Sequence, residues 1–102
     1  MELYRKINQT FIIPTEEEIL FSDGELEVID DGMNRSWQVV LANVKNGKTF
    51  KKALRSKQHL DLKIITEYNE EFFGNVMIMR ISSDNLGAYI ELKGNGQLKG
   101  NN

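Results

Sequence analysis

At 102 residues, with 40% hydrophobic and 27% charged side chains, the chain has the size and composition of one globular domain rather than of a disordered segment. Its formal charge of −2 argues against a module that is basic throughout, and the absence of cysteine excludes a disulfide scaffold, a thiolate metal site and a cysteine nucleophile. No apolar run approaches the roughly 18 residues of a membrane span and residues 1–10 lack a secretory apolar stretch, so the expectation is a cytoplasmic protein, or one in a particle assembled there, without a membrane partner.

In chain order, residues 1–9 are expected to be flexible. Pro14, the single proline, follows Phe11-Ile12-Ile13 and should end or edge a strand. Thr15 with Glu18 also fits a capping box, so a one-turn helix over 15–19 competes with that reading. Residues 19–21 and 25–30 read as strands around Ser22-Asp23-Gly24, where Asp-Gly supplies the positive φ of a tight hairpin. In the second, Leu26 and Val28 face inward while Glu25 and Glu27 face water.

After a break at Asp30-Asp31-Gly32-Met33-Asn34, residues 36–44 form a longer strand with Trp37, Val39 and Leu41 on one side. Asn46-Gly47 is the strongest hairpin signal in the chain, and it predicts an antiparallel return over 48–54. Helix propensity opposes it: residues 49–58 are rich in helix formers, and Phe50 and Leu54 at four-residue spacing define one side of a short basic helix. Residues 60–68 alternate with Leu60, Leu62, Ile64, Thr66 and Tyr68 on one face. A turn at 69–71 leads to residues 75–82, where Val76 and Ile78 oppose Met77, Met79 and Ile81. Residues 88–93 form the last long strand, Gly94-Asn95-Gly96 turns into a short addition at 97–99, and residues 100–102 should fray.

About eight short antiparallel strands in one domain over 1–102 predict a mainly β fold, a closed barrel or a two-layer sandwich. If the basic stretch is the one helix, the fold becomes α+β with that helix packed across the sheet.

Charge is segregated along this framework. Glu16, Glu17, Glu18, Asp23, Glu25, Glu27, Asp30 and Asp31 follow one another with no intervening base, and Lys45, Lys48, Lys51, Lys52, Arg55 and Lys57 with no intervening acid. Kept apart, each set is a docking surface; brought together, they neutralise one another. Glu16, Glu17, Glu18, Glu25 and Glu27 are the candidate acidic face, and the six cations are the candidate site for a partner protein or a nucleic acid. Phe72 and Phe73, read as lying in a turn, are candidate apolar contacts.

Catalytic groups are sparse. His59 is the only imidazole, and no second His or Cys accompanies it to build an ordinary zinc site. Glu25 and Glu27 share a strand face, yet a solvated surface explains them more simply than an acid–base pair. Gly94-Asn95-Gly96 lacks the Lys-Ser/Thr and helix of a phosphate loop. The expectation is therefore a non-enzymatic interaction or assembly module with no cofactor and no metal, its partner a protein or a second copy. The alternative is a small nucleic-acid-binding barrel that uses residues 45–57, with Phe50 or Trp37 as a stacking surface.

Overall fold

Inward and outward side chains alternate along the strands, and the inward rows converge on one interior. The structure, a computed structural model, describes residues 2–101. Its elements are β1 (Glu2–Ile13), β2 (Glu17–Ile19), β3 (Asp23–Asp30), β4 (Arg35–Val44), α1 (Lys48–Ser56), β5 (Leu60–Thr66), β6 (Glu71–Asp84) and β7 (Gly87–Asn101). Every pairing is antiparallel. Six strands close in the order β1-β3-β4-β7-β6-β5, with β5 returning to β1, and β2 is an extra strand beside β1. The fold is thus mainly β, a closed barrel with one short helix. Leu26, Val39, Leu41, Ile64, Val76 and Ile90 fill its interior, joined by Phe50 from α1.

Several local expectations are corrected by the pairing. From Glu2 on, the leader expected to be flexible is strand: residues 2–6 pair with β3, and residues 7–13 with β5. Gly100 and Asn101, expected to fray, pair with Phe72 and Glu71; Met1 and Asn102 lie outside the described residues. Pro14 ends β1 as anticipated, but no helix follows, because Glu17–Ile19 pairs with residues 10–12 as β2. The tight hairpin at Asp23-Gly24 does not form either. β2 and β3 both run antiparallel to β1 along the same edge, so the chain between them continues forward, and a reversal there would make β3 parallel to β1.

The return strand over 48–54 is replaced by α1. Asn46 is withdrawn from turn formation because its side chain accepts the Leu20 N–H at 2.7 Å and donates to the Glu18 carbonyl at 2.8 Å. Gly47 becomes the N-cap instead, packed against Ile90, Val44 and Ala88. Phe72 and Phe73 lie within β6, not in a turn: Phe72 packs on the core and Phe73 is half-exposed on the outer wall. Gly94-Asn95-Gly96 is likewise internal to β7, where Gly96, at φ 87°, sits in a bulge opposite residues 73–75.

The β3–β4 connection behaves as its Asp-rich sequence implies. The Asp31 carboxylate accepts the Asn34 N–H at 2.7 Å and the Met33 N–H at 3.0 Å, and these bonds lower its pKa below the ordinary aspartate range. A depressed folded pKa stabilises the turn above the unfolded value and loses that contribution as pH falls through the folded value. The Met33 and Asn34 amide shifts should therefore titrate with a midpoint below the value of a free aspartate, and Asp31→Asn should abolish the titration. A midpoint at or above that value would contradict the assignment.

Candidate docking site

α1 is nine residues long, shorter than the roughly 12–15 residues an isolated helix needs, so its stability comes from what it buries. At 3.6 residues per turn, Phe50 and Ala53 fall on one side and enter the core. Lys48, Lys51, Lys52 and Arg55 fall on the opposite side within an arc of roughly 100°, and all four are exposed. A strand would have divided these cations between two faces; the helix gathers them into one ridge. Lys57 terminates α1 in the left-handed conformation at φ 56°, where its N–H reaches the Leu54 carbonyl at 3.3 Å.

Lys45 stands apart from the ridge, its Nζ donating to the Leu86 carbonyl at 2.6 Å on the β6–β7 turn. Among the described residues, none of the six cations lies within 4.0 Å of a carboxylate. The ridge also repels itself, since Lys48–Lys52 and Lys51–Arg55 are like charges four residues apart, each pair opposing the helix by roughly 0.2–0.5 kcal/mol. No acidic residue offsets the helix dipole in the first turn, and Lys48 occupies that turn instead. Local stability does not account for this clustering.

The acidic set is not one face. Glu17 turns toward the helix and accepts from the Thr49 hydroxyl at 2.8 Å, while Glu16 sits in the β1–β2 turn at φ 60°. Glu18 points to the outer wall, where the Gln9 amide approaches it at 3.5 Å. Glu27 accepts from Gln38 at 2.9 Å, and Glu25 accepts from the Tyr4 hydroxyl. That bond, with burial and the charges of Glu25, Asp23 and Glu27 adding to it, raises the Tyr4 pKa. These carboxylates are spread over the β1–β2 turn, β2 and β3 and are partly satisfied, whereas four of the six cations share one ridge.

Beside the ridge runs a seam between α1 and β6. One depression of about 310 Å³ is lined by Lys51, Leu54, Arg55, Ile81 and Ser83. A second, of about 210 Å³, is lined by Leu54, Lys57, His59, Met77 and Ile78 among others, and Leu54 is common to both. The seam thus has an apolar floor and a cationic rim. His59 sits at one end of it, its Nδ1 hydrogen-bonded to the Asn95 amide at 2.9 Å. A larger depression of about 410 Å³ on the outer wall holds Glu27, Ile29, Val40, Met79 and Glu91, but its acids are engaged: Glu27 by Gln38 and Glu91 by Arg80 at 3.2 Å.

The two residues expected to offer stacking surfaces are buried. Phe50 is fully buried and Trp37 is 3% exposed, with its Nε1–H donating to the Gly96 carbonyl at 3.0 Å. Of the seam residues, Leu54 was visible in the sequence as the partner of Phe50, and Met77 and Ile81 as an apolar row opposing Val76 and Ile78. Only folding sets that row beside the cations. No helix among the described residues is long and apolar enough to cross a membrane.

Fold and site together define a small antiparallel β-barrel with a cationic helix laid against one of its strands. Compared with protein-family models, curated proteins and solved structures, the chain matches none.

Proposed function

We propose that this barrel is a non-catalytic protein-interaction module that docks an acidic segment of a partner protein on the α1 ridge and the seam beside it. The observation that carries the reading is the cationic ridge of Lys48, Lys51, Lys52 and Arg55, without an ion pair among the described residues, bordering an apolar floor of Leu54, Met77 and Ile81. Exposed cations attract a negative partner over several ångströms and fix its register, while apolar contact supplies affinity that salt does not remove. Leu54 and Met77 are 39% and 38% exposed, so both are open to such contact. Methionine adapts its shape to different side chains, which suits a protein ligand. Nucleic acid is the weaker candidate because the seam is lined by no Phe, Tyr or Trp to stack a base, and its one ring, the His59 imidazole, is tied to the Asn95 amide.

The test is fluorescence anisotropy with a labelled peptide that alternates glutamate and valine, run beside labelled single- and double-stranded oligonucleotides across a salt series. The peptide should bind at low salt, weaken as salt rises, and lose at least about tenfold in affinity with Lys51→Glu plus Arg55→Glu, roughly 1.4 kcal/mol. Both substitutions are at exposed positions and should leave Trp37 emission unchanged. Oligonucleotide binding tighter than peptide binding, lost in the same variant, would replace this reading with the nucleic-acid one. A mass that doubles with concentration and falls with salt would assign the ridge to a second copy, and no binding of any probe would refute docking at the ridge.

A further inference from the structure

The seam contains more than side chains. β5 pairs with β6 only as far as Leu60 opposite Val76, whereas β6 continues along β7 to Asp84 opposite Gly87. Beyond Val76, one edge of β6 therefore has no neighbouring strand among the described residues. Among the described residues, no backbone N–H or carbonyl of residues 77–84 bonds to a helix, loop or turn elsewhere in the chain. Sheet edges of this kind are usually blunted, because they can pair with another chain. Here α1 flanks the edge without bonding to it, and the two depressions lie between them.

Hairpin geometry identifies the groups that face this gap. Asn85-Leu86 is a two-residue loop, so Asp84 and Gly87 form a hydrogen-bonded pair, and pairs of that kind alternate with non-bonded ones along the ladder. Ser82 opposite Tyr89 and Arg80 opposite Glu91 are then turned to β7, while Ser83 opposite Ala88 and Ile81 opposite Ile90 direct their backbone groups away from it. Ile81 and Ser83 are the two β6 residues that line the larger of the two seam depressions, together with Lys51 and Arg55. Free strand donors and acceptors thus open onto the same cleft as the cations.

Resting on the docking role proposed above, we infer that the partner binds by strand addition: an extended segment with alternating acidic and apolar side chains pairs with the Met77–Ser83 edge of β6. Its backbone bonds Ile81 and Ser83, its carboxylates meet Lys51 and Arg55, and its apolar side chains rest on Leu54 and Met77. Charge decides against a second copy paired through the same β6 edge. A two-fold copy paired edge to edge would bring two α1 ridges toward one another, and like charges across an interface oppose association. An acidic strand has the complementary sign.

The experiment uses the full chain and a capped peptide alternating glutamate with valine, about nine residues long, which at roughly 3.4 Å per residue spans the edge. Two further peptides carry N-methyl groups on alternate backbone nitrogens, one set on each peptide edge. Amide hydrogen exchange of the protein is read with and without peptide. Strand addition predicts that exchange at Ile81 and Ser83 slows at least about tenfold while Arg80 and Ser82, already bonded to β7, change little. It also predicts that N-methylation of one peptide edge removes at least about tenfold of the affinity and methylation of the other does not. Binding that is lost with Lys51→Glu plus Arg55→Glu yet indifferent to N-methylation would overturn strand addition and leave the docking role standing. No peptide binding at low salt would overturn both.

Discussion

Gly94→Ala is expected to destabilise the protein by about 3 kcal/mol, at the upper end of what overpacking a core usually does. The indole of Trp37 lies flat across β7 and β6, and a methyl group at Gly94 would overlap its Cε2 and Nε1. The ring is seated closely over both strands, since an added Cβ at Gly74 on β6 would stand 2.5 Å from Cη2 and Cζ2, and its Nε1–H is held by the Gly96 carbonyl, so moving it aside breaks that bond. A domain of this size has about 5–15 kcal/mol of total stability, so the loss is a substantial fraction of it. At roughly 4–8 °C per kcal/mol, Tm should fall by about 12–24 °C. Gly32→Ala is the control, since nothing lies within 4 Å of its added Cβ and only φ 90° opposes the change, at roughly 1–2 kcal/mol. Urea denaturation followed by the emission of Trp37, the chain's one tryptophan, measures both. A Gly94→Ala loss no larger than the control would mean that the indole can move aside.

Phe50→Ala should cost about 3–5 kcal/mol, the usual range for removing a buried phenylalanine. The ring is fully buried and is the larger of the two buried side chains that fix α1 to the barrel, the other being Ala53. The remaining ties of the helix are light: the Thr49–Glu17 hydrogen bond, the terminal turn at Lys57, and the partly exposed Leu54. Against them stands the mutual repulsion of the cationic ridge, so α1 should lose helical structure before the barrel opens. Far-UV circular dichroism and urea titration are the measurements, with Phe50→Leu as a partner variant expected to retain most of the stability and the helix. Added salt should restore part of the lost helicity in Phe50→Ala by screening the like charges. Equal losses in the alanine and leucine variants would argue that ring shape rather than burial holds the helix. Unchanged helicity in Phe50→Ala would show that the ridge does not depend on this anchor.

The link to function runs through that anchor. Burial of Phe50 orients the helix so that its cations face outward beside β6, and the same placement keeps β5 from extending along the upper half of β6. The ridge and the open strand edge are therefore two consequences of one packing event. A variant that detaches α1 should weaken peptide binding even though no cation has been removed.

Much of the barrel was legible from residue patterns alone. The alternation in Leu26 and Val28, in Trp37, Val39 and Leu41, and in Leu62, Ile64 and Thr66 marks inward rows, because side chains in a strand point to opposite faces with a period of two. The six cations and the acids preceding them were equally plain. Tertiary structure decided which strands pair and where the chain reverses. Asp23-Gly24 and Asn46-Gly47 have hairpin chemistry, yet neither makes a hairpin, since β1 offers one continuous edge to β2 and β3, and Asn46 is engaged by Leu20 and Glu18. Gly94 and Gly96 resemble a turn until Trp37, far away in sequence, is seen to need the space beside one and the carbonyl of the other. Residues 49–58 are rich in helix formers, but the burial of Phe50 and Ala53 was required to settle their state. Local composition determined which segments alternate and where charge accumulates; the neighbours of each segment, which no local pattern encodes, determined that four of the six cations form one ridge and that it borders an open edge of β6.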